Sequence, residues 1–116
     1  MPLGDIVARR ELEFVSESGK ESVQVYLGKP VQQKDGPWFY PYLIEGKSFE
    51  RQFRTAGEDS MQALVLALRT IPIELEALAK KNNGYFTWFG DPDLGFGQAT
   101  MGSTQFGQQV NQGDGE

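Results

Sequence analysis

The acidic pair Asp91 and Asp93, joined by Pro92, comes closest in this sequence to the pattern of a metal site. Calcium prefers carboxylate oxygens, but it takes six to eight oxygen ligands. Two carboxylates are too few, and the twelve-residue loop that closes on a glutamate is missing from the sequence. The pair therefore predicts a polar turn, and we expect no metal and no cofactor.

The side chains that most often act as nucleophiles and bases are missing from the chain. Its 116 residues include no His and no Cys, which excludes zinc fingers, cysteine nucleophiles and histidine-based triads. Ser60 would need a lysine as its base, and no Ser-x-x-Lys motif supplies one. Glu11 and Glu13 share one face of a predicted strand, which indicates a solvated face and no acid–base pair. We therefore predict that the protein is not an enzyme.

The net charge of the chain favours some classes of binding partner over others. Eleven basic and 16 acidic residues give a net charge of −5, and the basic residues are scattered along the chain. Duplex nucleic acid requires a basic face that neutralises phosphates. We therefore expect no binding to duplex nucleic acid, whereas an acidic surface suits a basic protein partner.

The hydropathy of the chain bears on its location. The longest apolar-rich run, residues 63–68, is far shorter than the roughly 20 residues that cross a bilayer. The first residues lack the basic and apolar segments of a secretory signal. We expect no membrane association and a cytoplasmic location.

Four segments alternate polar and apolar residues with the period of two that is typical of half-buried strands. They cover residues 6–14, 23–27, 38–45 and 48–54, with residues 31–37 predicted as a loop. Arg10 interrupts the apolar row of the first segment, which predicts an edge position or a side chain that reaches outward. Pro41 has no N–H to donate, which predicts an edge or a bulge for the third strand. Short turns between the segments predict an antiparallel meander.

After these strands, apolar residues recur at every third or fourth position, which is the spacing of a helix. Asp59 or Ser60 is expected to cap its N-terminus, with Gln62 at the capping-box position, and residues 82–84 to cap its C-terminus. Pro72 interrupts the helix, but the apolar stripe continues in phase, which favours one kinked helix over two helices. We expect the stripe to face the sheet through Met61, Leu64, Val65, Leu68, Ile71, Leu75, Leu78 and Ala79.

A strand meander followed by one amphipathic helix predicts an α+β fold with two layers. One long helix packs on one face of a four-stranded antiparallel meander, and residues 85–89 add a short fifth strand. Residues 1–96 form a single globular domain. Residues 97–116 are rich in Gln and Gly and are predicted to be a flexible tail, because they cannot bury enough apolar surface to become ordered.

Three segments resemble a family of small uncharacterised bacterial proteins, a domain of unknown function. They are residues 38–46 (WFYPYLIEG), 57–68 (GEDSMQALVLAL) and 87–96 (TWFGDPDLGF), and with the preceding strands the resemblance covers residues 6–96. The resemblance implies strands before a long helix, in agreement with the periodicity. It implies no activity and no catalytic residues.

Two clusters of aromatic residues either belong to the core, covered by loops, the N-terminus or the tail, or form a surface for a partner. If the strands alternate as predicted, some of these side chains point away from the helix, and exposed aromatic patches mark interfaces. Together with the turn carboxylates, they give a candidate interaction surface of Phe39, Leu43, Phe89, Asp91 and Asp93. We expect a protein-interaction module, in one version an immunity or antitoxin-like protein, that binds a basic protein partner through the exposed sheet face.

A small-ligand-binding domain is the alternative function. Its ligand would occupy an aromatic pocket between helix and sheet, lined by Trp38, Tyr42 and Trp88. A homodimer through an unprotected strand edge is compatible with either function.

Overall fold

Six strands and one long helix build the structure, and the computed structural model describes residues 3–97. The predicted tail, residues 97–116, lies outside the described residues from residue 98 onward. The elements are β1 (Ile6–Ser16), β2 (Gly19–Gly28), β3 (Val31–Gln32), β4 (Trp38–Glu45), β5 (Glu50–Gly57), α1 (Ser60–Lys81) and β6 (Gly84–Thr87).

The strands form one antiparallel sheet. β4 lies between β5 on one side and β2 followed by the two-residue β3 on the other. β1 lies between β2 and β6. α1 follows β5 at one edge of the sheet and leads to β6 at the opposite edge, so it crosses the sheet between the two. The predicted α+β fold is confirmed, with its strand meander, its packed helix and its attached later strand.

The core lies between α1 and the sheet. Alternate residues of each strand point toward the helix because the strand is pleated. Phe14 of β1 packs at ring-centroid distances of 5.3 Å from Phe49 and 4.9 Å from Phe86. The buried apolar residues are Leu12, Phe14, Val23, Val25, Leu27, Tyr40, Tyr42, Ile44, Ala63, Ala67, Ile71, Leu75 and Phe86.

The buried face of α1 is rotated from the predicted one. Ile71 and Leu75 are buried as predicted, and Leu64, Leu78 and Ala79 are partly buried against the core. The prediction was wrong for three residues of the stripe: Met61 is 67 % exposed, and Val65 and Leu68 are also exposed. Ala63 and Ala67 take their place on the buried face.

Small residues at the closest contact explain this rotation. The Thr55 hydroxyl donates a hydrogen bond of 2.7 Å to the carbonyl oxygen of Ala63. A Cβ atom at Gly57 would lie only 2.5 Å from the Ala63 nitrogen. A helix that approaches the sheet so closely needs alanine at the contact, so the larger apolar side chains lie on its flanks.

Two prolines lie inside secondary structure elements. α1 runs without a break through Pro72, so the prediction of one helix is confirmed. Pro41 was predicted at an edge or a bulge, and this was wrong because β4 is a central strand. Pro41 lies between the last pair of β4 with β2 and its first pair with β3. Proline, which has no backbone N–H, is tolerated at a position where the backbone hydrogen bonds between β4 and its neighbours β2 and β3 are interrupted.

Predicted residues cap both ends of α1. The Asp59 carboxylate accepts a hydrogen bond of 2.7 Å from the backbone N–H of Gln62. The side-chain oxygen of Gln62 accepts one of 2.7 Å from the backbone N–H of Glu58. At the C-terminus, Asn82 is the C-cap and Asn83 has a φ of +55°. These caps fix where the helix begins and ends.

Candidate interaction surface

The sheet face that points away from α1, the outer face, carries a row of apolar residues on β4. Phe39, Pro41 and Leu43 alternate with buried residues of that strand and are each half-buried. Tyr26 of β2 lies beside Leu43, and the Arg54 guanidinium lies 3.9 Å from the Phe39 ring centroid. We call Phe39, Pro41, Leu43 and Tyr26 the apolar band. At one end of the band, Leu3 and Pro41 both lie against Gly28 of β2.

Phe89 stands in solvent at the tip of a tight loop. Trp88 and Asp91 exchange two backbone hydrogen bonds of 2.9 Å and enclose the two loop residues. These residues, Phe89 and Gly90, have φ angles of +52° and +81°. Asn-Gly is the usual sequence in such a loop, because a bulky residue is strained at positive φ. The Phe89 ring centroid lies 5.3 Å from that of Trp88, but Phe89 is 92 % exposed, so neither burial nor backbone preference explains a phenylalanine there.

Arg10 holds the segment after β6 against the sheet. Its guanidinium lies 3.9 Å from the Trp88 ring centroid and 5.0 Å from that of Phe96. Its Nη1 donates hydrogen bonds of 3.0 Å and 2.8 Å to the carbonyl oxygens of Leu94 and Gly95. Sequence reasoning missed this role, although a cation within an apolar row was the signal for it.

The two turn carboxylates stabilise their own loop. Asp91 accepts a hydrogen bond of 2.8 Å from the backbone N–H of Asp93, and Asp93 accepts one of 2.9 Å from that of Gly95. This arrangement confirms the prediction of a polar turn. Both residues are exposed, so their negative charge is open to a partner.

The five candidate residues lie in two groups. Phe39 and Leu43 are on β4, whereas Phe89, Asp91 and Asp93 follow β6. β2 and β1 lie between β4 and β6, which separates these two strands by about 14 Å at the usual strand spacing. An interface of about 800 Å² on each partner would cover both groups.

Charges of both signs surround the apolar band. Alternation along β1, β2, β4 and β5 places several charged residues on the outer face. The basic ones are Arg9, Lys20 and Arg54, and the acidic ones are Glu11, Glu13, Glu45 and Glu50. The negative net charge of the chain is therefore not concentrated on this face.

Shifted pKa values occur at three residues away from the candidate surface. Ser48 donates hydrogen bonds of 2.6 Å from its hydroxyl and 3.1 Å from its backbone N–H to Glu21, which lowers the pKa of that carboxyl. Burial raises the pKa of Tyr40. Burial, together with the Glu74 carboxylate, raises the pKa of Tyr42. Each shift follows from a contact in a turn or in the core.

A small groove opens between α1 and the sheet, with a volume of about 250 Å³. Its apolar walls come from Ala8, Val25, Leu27, Leu68 and Phe96. The structure does not bring the three aromatic residues of the predicted pocket together. Tyr42 is fully buried, and β2 and β1 separate β4, which contains Trp38, from β6, which Trp88 follows.

Two classes of site can be checked directly in the structure. Within residues 3–97, no three His, Cys, Asp or Glu side chains are grouped so that they could hold a metal ion. In the same part of the chain, no helix has the length and hydropathy of a membrane span.

Comparison with known proteins shows the family of the chain. The family model described as "Domain of unknown function (DUF6968)" matches residues 8–99. The chain belongs to this family. The match contains the apolar band, the Phe89 loop and Arg10, and it confirms the expected resemblance to uncharacterised proteins. No curated protein and no solved structure matches the chain.

Proposed function

We propose that the protein is a non-enzymatic interaction module that binds a protein partner through its outer face and Phe89. The observation that carries this proposal is the conformation of Phe89, which is almost fully exposed with a φ of +52°. Backbone strain at an exposed aromatic residue is a reason to look for a function, because the contact with Trp88 leaves Phe89 almost fully exposed. Buried aromatic side chains dominate the energetics of interfaces.

The apolar band supplies the second half of the proposed interface. Phe39 and Leu43 lie half-buried on the face of β4 opposite α1, and charged residues surround them. An apolar centre with a polar rim is the usual anatomy of a protein interface. The rim here has both signs of charge, so a partner would be oriented by pairing its own charges with Arg54, Glu45 and Glu50.

The chemistry of the partner follows from the net charge. A chain with a net charge of −5 attracts a basic protein over distances longer than any contact. In the specific version of the proposal, the protein is an immunity or antitoxin-like module that masks a basic toxin in a bacterial cytoplasm. The lack of His and Cys and the compact size of the chain support a role without catalysis.

Replacing Phe89 with glycine separates binding from folding. Glycine accepts positive φ without strain, so F89G should keep the fold, although it loses the ring contact with Trp88. Its affinity for the partner should fall roughly 30-fold, in line with a loss of about 2 kcal/mol for a hot-spot aromatic residue. Capture from a lysate of the source organism identifies the partner, and calorimetry of wild type and F89G then measures the affinity.

Ile73→Ala is the matched control. Ile73 is also an exposed apolar residue, but it lies on α1 and away from the outer face. I73A should retain the partner, and the wild-type affinity should fall with rising salt if the partner is basic. Equal binding by F89G and wild type, or no partner that distinguishes F89G from I73A, would contradict the proposal.

The groove between α1 and the sheet favours a small apolar ligand as the second candidate function. Its volume is about 250 Å³ and its walls are mostly apolar. A ligand there should raise the melting temperature by mass action, and Leu68→Ser should abolish that rise. A thermal-shift screen of apolar metabolites tests this function. A screen with no ligand whose effect depends on Leu68 would count against it.

A further inference from the structure

The groove between α1 and the sheet has a charged side chain beside its apolar walls. Arg9 and Arg10 both line the groove. Successive side chains of a strand point to opposite faces, so Arg10 lies on the same side of β1 as the buried Leu12, whereas Arg9 lies on the outer face. The described residues that line the groove therefore place the positive charge of Arg10 on the side of α1.

The guanidinium of Arg10 keeps hydrogen-bond donors for a ligand. Its Nη1 donates to the carbonyl oxygens of Leu94 and Gly95, at 3.0 Å and 2.8 Å. Within residues 3–97, its Nε and Nη2 donate to no protein acceptor. These two nitrogens lie on one side of the planar group and match the two oxygens of a carboxylate.

The same chain shows this recognition at another arginine. Arg51 donates from Nε and Nη2 to the two carboxylate oxygens of Glu74, at 2.9 Å and 3.4 Å. Arg51 thus uses the pair of nitrogens that Arg10 leaves without an acceptor among the described residues. A carboxylate supplied by a ligand would complete the hydrogen bonding of Arg10 in the same way.

The Arg10 guanidinium is already held in place for such a ligand. Its carbon lies 3.9 Å from the Trp88 ring centroid and 5.0 Å from that of Phe96, and Phe96 also lines the groove. The rings and the two carbonyl oxygens restrict the side chain before a ligand arrives. Binding therefore costs little additional side-chain entropy, which favours affinity.

The size of the groove limits the ligand to a short chain. The volume is about 250 Å³, and Val25, Leu27 and Leu68 supply apolar walls beside Phe96. A methylene group is about the size of a water molecule, which takes about 30 Å³ in the liquid, so roughly eight such groups fill the groove. A straight chain of about six to eight carbons fits this volume.

Other charges oppose a ligand that is only an anion. The net charge of −5 repels anions at long range. The exposed Asp93 carboxylate lies near the groove, because it accepts a hydrogen bond from the backbone N–H of Gly95. Contact with Arg10 must therefore be combined with burial of an apolar chain, and a small anion without such a chain should not bind.

We propose that the groove binds a short straight-chain monocarboxylate, with the chain between α1 and the sheet and the carboxylate on Nε and Nη2 of Arg10. This inference rests on the second candidate function, a small apolar ligand in the groove, and adds the chemical class of that ligand. It does not involve Phe89 or the apolar band, so the proposed protein interface is independent of it.

Titration calorimetry of the full chain with four probes tests the class of ligand. Octanoate should bind more tightly than octan-1-ol, which has the same chain without the charge, by roughly tenfold or more. It should also bind about tenfold more tightly than hexanoate, because each buried methylene group raises affinity about threefold. Acetate, which has the charge without the chain, should show no binding at millimolar concentration.

The outcomes separate this inference from the function on which it rests. Equal affinities for octanoate and octan-1-ol would overturn the carboxylate assignment and leave an apolar ligand in the groove as the second candidate function. No binding of either probe would overturn both.

Arg10→Lys and Arg9→Lys are a matched pair that tests the role of Arg10. Lysine keeps the charge but loses the planar pair of donors, so R10K should weaken octanoate binding by about fivefold or more. R10K should bind octan-1-ol as the wild type does, which shows that the groove is intact. R9K should bind both probes as the wild type does, because Arg9 lies on the outer face. An equal loss of octanoate affinity in R10K and R9K, or a loss in neither, would overturn the assignment.

Leu68→Ser and Ile73→Ser test the location of the chain. Leu68 is a wall of the groove, whereas Ile73 is exposed elsewhere on α1. L68S should weaken octanoate and octan-1-ol by roughly tenfold, because a hydroxyl replaces part of the apolar wall. I73S should leave both affinities unchanged. Equal losses in the two variants would overturn the placement of the ligand in this groove.

Discussion

Replacing Ile71 with alanine should lower the free energy of unfolding by about 2–5 kcal/mol, because the side chain is fully buried between α1 and the sheet. The loss combines the removed apolar surface with the cavity left behind. Urea denaturation followed by circular dichroism gives the free energy directly, and the midpoint should shift without a large change in slope.

Met61→Ala is the matched control, because Met61 belongs to the same predicted stripe. Since Met61 is 67 % exposed, M61A should change the free energy of unfolding by no more than about 0.5 kcal/mol. If the predicted stripe were the buried one, M61A would cost several times more. A comparable loss in I71A and M61A would contradict the observed rotation of the helix.

Replacing Arg10 with alanine should destabilise the protein by about 2–3 kcal/mol, because it removes two charge-assisted hydrogen bonds and two ring contacts. The carbonyl oxygens of Leu94 and Gly95 lose their donor, and the Trp88 ring becomes more accessible to water. The emission of Trp88, measured in a Trp38→Phe background, should therefore shift to longer wavelength. Thermal denaturation of the same samples gives the loss in stability.

Two further variants test the reason for this loss. Arg10→Lys keeps the charge but not the planar fork that stacks on Trp88, so it should recover only part of the stability. Arg69→Ala removes an exposed arginine of α1 and should leave both stability and emission nearly unchanged. An R10A protein as stable as R69A would show that the segment after β6 does not need this anchor.

The elements themselves were largely predictable from local patterns. A half-buried strand alternates polar and apolar residues. From this alternation, the predicted bounds of the first strand agree with those of β1 to within two residues, and the predicted bounds of the third strand are those of β4. Asp59 was a predicted cap because its carboxylate can satisfy a free N–H of the first helical turn. The short β3 was predicted as a loop, because two residues carry no periodic signal.

The candidate surface was predictable only in part. Because successive side chains of a strand point to opposite faces, the odd-numbered Phe39 and Leu43 could be placed on the face of β4 opposite α1. The sequence also placed Phe89 on the candidate surface, but its tight loop was not predicted, because positive φ angles are favoured by Asn and Gly and not by phenylalanine. Arg10 was noticed only as an interruption, because its partners at Leu94 and Gly95 lie more than 80 residues away in the chain.

By itself, the sequence determined the class of fold, the caps of the helix and the lack of the usual catalytic side chains, because each depends on neighbours within a few residues or on composition. Only the tertiary structure decided which side of α1 is buried, how β6 joins β1, and which residues line the groove beside α1. These features depend on how closely two elements approach and where a distant strand ends. The distance between two packed elements depends on the size of the residues where they touch. The periodicity of apolar residues along one element carries no information about the residues that it will touch on another.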